Sequence, residues 1–148
     1  MKKITFTLVS IFTSCISSLA FGLQFEIKDK QGQVLFVQDL AKVENTDVGA
    51  ITYSTLIQAQ TKGVIKTFVA DEAGVASIEN MSNDIEVLND TEMRAWGWCF
   101  SIDHIIPETL PAKTQLTGDE QKLTWYYGFA HYIQGEWVSQ CESLPFQK

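Results

Sequence analysis

The chain has 148 residues, 45% hydrophobic and 20% charged, with a formal net charge of −7. That is the length of a single domain with enough apolar side chains for a core. Nucleic acid and anionic lipid repel an acidic chain at long range, so neither is an expected partner.

The N-terminus reads as a leader. Met1-Lys2-Lys3 is basic, Ile4 to Phe12 is apolar apart from threonine and serine, and Ser18-Leu19-Ala20 puts small residues where a signal peptidase reads. This pattern predicts a bacterial-type secretory signal over residues 1–20 and a periplasmic or secreted protein, with no stable transmembrane anchor after cleavage because the apolar run is too short. A lipoprotein attached through Cys15 is the weaker alternative, since Phe12-Thr13-Ser14 is a poor lipobox.

From Leu23 onward the chain predicts a single domain. Leu23 to Lys28 alternates apolar and polar residues as a half-buried strand does, Asp29-Lys30-Gln31-Gly32 is a turn, and Gln33 to Gln38 returns as a second strand. Asp39 to Gly49 is polar and irregular. Thr52 is the expected N-cap of a short helix with Tyr53, Leu56 and Ile57 on its buried face, ending at Gly63. Strands are expected over Val64 to Ala70 and Val75 to Asn80, separated by the turn Asp71-Glu72-Ala73-Gly74. Met81 to Met93 reads as a loop holding an edge strand near Ile85 to Leu88.

Two aromatic strands follow, and they are expected to lie side by side in the sheet. Trp96, Trp98, Phe100 and Ile102 share one face while Gly97, Cys99, Ser101 and Asp103 share the other, and Leu123, Trp125, Tyr127 and Phe129 repeat the pattern. The connection holds Pro107 and Pro111, which exclude it from a central strand, and a turn at Thr117-Gly118-Asp119. His131 to Ser139 is expected to continue the last strand through a bend at Gly135, with Trp137 as its anchor. Cys99 and Cys141 are the even pair left in the exported chain, and an oxidising compartment favours a disulfide over two buried thiols or a metal pair.

A strand hairpin, one helix and further strands form the order of a β-grasp fold. The runs Gly49-Ala50-Ile51-Thr52-Tyr53-Ser54-Thr55-Leu56-Ile57-Gln58-Ala59, Gly74 to Asn80, Gly97 to Asp103, Leu116-Thr117-Gly118-Asp119 and Leu123 to Tyr127 together resemble the transcobalamin C-terminal-like domain. The resemblance implies an α+β protein, a β-grasp (ubiquitin-like) mixed sheet with one main helix packed on one face. It also implies a small-molecule ligand, with cobalamin as the cofactor named by the family.

Candidate chemistry is sparse. Ser101, Asp103 and His104 are close in sequence, yet no Gly-x-Ser-x-Gly elbow accompanies them, so a turn aspartate and a surface histidine are the expected roles rather than catalysis. His104, His131 and Glu108 lack a metal-ligand spacing. Asn80-Met81-Ser82 and Asn89-Asp90-Thr91 fit the glycosylation sequon and are taken as chance beside a bacterial-type signal. The aromatic stripe is chiefly core, with Trp96, Trp98, Trp125 and Tyr127 between sheet and helix. The expected ligand surface comprises Trp96, Asp103, His104, Tyr126, Tyr132 and Trp137. The resulting expectation is an exported, non-enzymatic binding module for a small molecule or an envelope protein. A protein-interaction domain that pairs through an exposed sheet edge is the first rival, and a small secreted hydrolase the second.

Overall fold

The computed structural model describes residues 22–143. The leader read in residues 1–20, with Cys15, therefore lies outside the described residues.

The chain begins with a hairpin of β1 (Gln24–Lys28) and β2 (Val34–Asp39). It is closed by Asp29, whose carboxylate accepts the Gln31 and Gln33 N–H groups. The stretch expected to be irregular contains β3 (Thr46–Asp47), which pairs with a later segment and leads directly into α1 (Val48–Thr61). Asp47, not Thr52, caps this helix, because its carboxylate accepts the Ala50 N–H at 2.7 Å. Gly63 ends it at a φ of 72° as expected.

The inward face of the helix keeps Leu56 of the expected set but not Tyr53 or Ile57. Val48, Thr52, Thr55, Leu56 and Ala59 are buried, whereas Tyr53 and Ile57 are exposed. The reason lies opposite: the indole N–H of Trp125 donates to Thr52 Oγ1 at 2.9 Å, so the seam holds threonines instead of an unbroken apolar stripe. Thr55 hides its own hydroxyl by donating to the Ile51 carbonyl.

A small three-stranded sheet follows: β4 (Phe68–Asp71), β5 (Gly74–Ile78) and β6 (Met81–Ser82). β4 is shorter than expected because Ile65 drops into the main core and the Lys66 N–H is taken by the Glu79 carboxylate rather than by a ladder. The region expected as a loop is mostly strand: β7 (Asp84–Asn89) forms a hairpin with β8 (Glu92–Ile102).

Asp103 and His104 turn the chain with φ values of 48° and 68°, and Asp103 locks the turn by accepting the N–H groups of Gln121 and Lys122. β9 (Gln115–Leu116) pairs with β3, and the long β10 (Lys122–Ile133) runs antiparallel to β8 along its whole length. Trp125, Tyr127 and Phe129 lie opposite Phe100, Trp98 and Trp96, so the two aromatic strands are neighbours as expected. The chain then reverses at Gln134-Gly135 into β11 (Glu136–Glu142), a hairpin back along β10 rather than a bent continuation.

The result is an α+β architecture built on a curled mixed sheet of order β2-β1-β10-β8-β7, with β11 also on β10 and β1 parallel to it. One face packs on α1 through Phe25, Ile27, Leu123, Trp125 and Phe100. Beyond the helix the same face builds a second cluster, in which Trp96 stacks on Tyr127 at 5.8 Å beside Phe129. Trp96, Tyr127 and Phe129 are therefore packed against Met81 and not against the helix.

Candidate functional site

The face of the sheet turned away from α1 is polar and covered. Side chains alternate along a strand, so Glu26, Thr124 and Ser101 form one row across β1, β10 and β8, and Lys28, Tyr126 and Cys99 form the next. Glu26 is only 6% exposed. It accepts an ion pair from Lys122 at 2.6 Å and a second from Lys28 at 3.5 Å, with Thr124 Oγ1 at 3.5 Å. Burial alone would push its carboxyl up, but the Lys122 hydrogen bond and the two ammonium charges outweigh that and hold it below the usual carboxylate range.

The end of β11 covers this face as a strap. Cys141 turns at a φ of 54° and is joined to Cys99 by a disulfide with Cα atoms 5.6 Å apart. Tyr126 donates its phenol to the Cys141 carbonyl at 2.8 Å, and burial pushes its pKa up to about 12. Gly128 makes the crossing feasible: a Cβ there would stand 2.7 Å from the Glu142 carbonyl oxygen. Between strap and sheet lies a cleft of about 760 Å³, lined by Lys28, Ser101, Thr124 and Tyr126 on the floor and by His104 and Ile106 at the side. That volume lies within the range of small-molecule sites, about 300–1,000 Å³.

The expected ligand residues separate into three places. His104 and Tyr126 line the cleft, and Asp103 holds the turn that carries His104. Trp96 lies in the second core cluster, its indole N–H donated to Glu86 and its ring covered by Lys30 Nζ at 3.8 Å, away from this cleft. Tyr132 and Trp137 meet edge to face at 5.2 Å near the tip of the β10–β11 hairpin; Trp137 is 50% exposed and anchors nothing in the core.

Of the residues weighed for catalysis, Ser101 and His104 line the same cleft. Asp103 spends its carboxylate on backbone N–H groups, and Ser101 stays on the buried floor. His131 sits at the far end of β10 from His104 and contacts Glu92 at 2.7 Å, which holds the Glu92 carboxyl below its usual range. Among the described residues no group of three His, Cys, Asp or Glu is placed to hold a metal ion, and no helix is long and apolar enough to cross a membrane.

Glu26, Lys28, Lys122 and Thr124 were not singled out by the sequence reading, because polar residues alternating in a strand look like a solvent face. A signal was present all the same. Cys99 shares a face with Ser101, so a bond from Cys141 must draw the end of the chain across that polar side.

The site thus belongs to an α+β domain with one covered polar sheet face and a covalently held strap. No family model, no curated protein and no solved structure matches the chain.

Proposed function

We propose that this chain is an exported, non-enzymatic binding module of β-grasp type, resembling the transcobalamin C-terminal domain, that holds a small molecule in the cleft between sheet and strap. The covered polar face carries this reading. Polar groups withdrawn from water cost free energy unless they are paired, and a sheet face meant only for solvent needs no lid. Here two buried hydroxyls and a phenol face a disulfide-bonded segment across an opening of small-molecule size, next to the buried, ion-paired carboxylate of Glu26. Ligand exchange there requires no nucleophile. A corrinoid is the first ligand class to try, on the strength of the resemblance.

The test is titration of the exported protein with cobalamin and other corrinoids, read by tryptophan fluorescence and by the backbone resonances of Ser101, Thr124 and Tyr126. Quenching together with shifts at those three positions supports the reading. An unchanged spectrum at high corrinoid ends the corrinoid version, and a chemically diverse small-molecule panel that moves none of the three ends the cleft reading altogether.

A further inference from the structure

Among the described residues the sheet has an open edge at β2, which pairs there with β1 alone. Edge strands are usually guarded against foreign pairing by charges, proline or bulges. β7, at the opposite edge, carries Asp84 and Glu86 and a register shift. β2 runs Val34-Leu35-Phe36-Val37 with no charge before Asp39, and its one irregularity lies at the Val34 end, so Phe36 to Asp39 is a regular ladder.

A groove follows this edge. Its second wall is the chain just past α1, where Lys62 and Val64 stand on either side of the Gly63 turn. Val34, Val37 and Val64 are 51%, 52% and 54% exposed, an apolar border along unpaired backbone. Among the described residues Lys62 is the only charged side chain lining the groove, on a chain whose net charge is −7.

We infer that β2 is a second binding surface, separate from the cleft, which takes an extended segment of a partner protein as an added strand. β-Branched side chains of that segment lie along Val34, Val37 and Val64, and an acidic side chain or a free C-terminal carboxylate meets Lys62. Main-chain hydrogen bonds supply the affinity of such pairing, and the alternate side chains supply the specificity. A partner segment suits the groove better than a second copy of this chain. Two copies repel through their net charge.

A displayed library of random octapeptides, selected on the immobilised exported protein, tests this. Recovered peptides are expected to place runs of β-branched residues next to Asp, Glu or the C-terminus. N-methylation along the pairing edge of a recovered peptide should weaken binding about ten-fold for each hydrogen bond lost. Lys62→Glu should weaken binding about five-fold, the scale of a partly exposed ion pair. Val64→Asp alters an exposed side chain and should also reduce capture while leaving the circular dichroism spectrum unchanged. The inference is overturned by a library that yields no enrichment, or by peptides that the Lys62→Glu and Val64→Asp variants hold as well as the parent does. A concentration-dependent dimer that those variants dissolve would overturn it too, because the edge would then be filled by a second copy.

Discussion

Trp125 and Thr52 make the contact on which helix and sheet agree. The indole N–H has one acceptor, Thr52 Oγ1 at 2.9 Å, and both side chains are almost wholly buried. Thr52→Val keeps the shape and leaves that N–H unpaired, so unfolding free energy should fall by about 1–3 kcal/mol in denaturant titrations. A second prediction concerns Glu26. Its folded pKa lies below the ordinary 4.5, so its ion cluster contributes stability above that value and loses it as pH falls through the depressed one. Thermal midpoints should therefore drop, as the pH falls below the ordinary 4.5, more steeply in the parent than in Glu26→Gln, and parallel curves would remove Glu26 from the account.

At the scale of elements, β11 is held down by Gly128 and by the disulfide together. Gly128→Ala puts a methyl group 2.7 Å from the Glu142 carbonyl, so the strap must lift or the strand must yield. The variant should lose about 1–3 kcal/mol, and dithiothreitol should reduce its Cys99–Cys141 bond faster than in the parent, as followed by mass spectrometry. Equal reduction rates would mean that the strap does not depend on this close approach. The helix offers the matching lesson from the other face of the sheet. Thr52 has the residue type of a cap and the position of a core residue, and only the indole opposite explains that choice.

For the molecule as a whole, the covalent link ties the strap at the end of β11 to β8 on the outer face. Cys99 and Cys141 are separated by 42 positions, and in the chain-entropy model a loop of that length is worth about 4 kcal/mol. Replacing both cysteines by serine should lower the guanidinium midpoint accordingly, and an unchanged midpoint would show that the strap is held without the bond. The pairing itself was legible beforehand, as were the first hairpin, the αL glycine at Gly63, the Asp103-His104 turn and the adjacency of the aromatic strands. The hairpin and turns follow from period-two alternation and local turn chemistry, and the disulfide from an even cysteine count, all of which can be read without the fold.

The site was less legible. His104 and Tyr126 could be suspected from residue type, but Glu26 and Lys122 lie 96 positions apart and meet only because β1 inserts parallel to β10. Periodicity divides a strand into two faces without saying what will lie over each of them. Whether a tryptophan is core or platform, whether a polar row is wet or covered, and which edge stays open were decided by the order of strands in the sheet. That order is set by long-range burial, because distant segments compete for the same apolar surface and only the assembled fold shows which one occupies it.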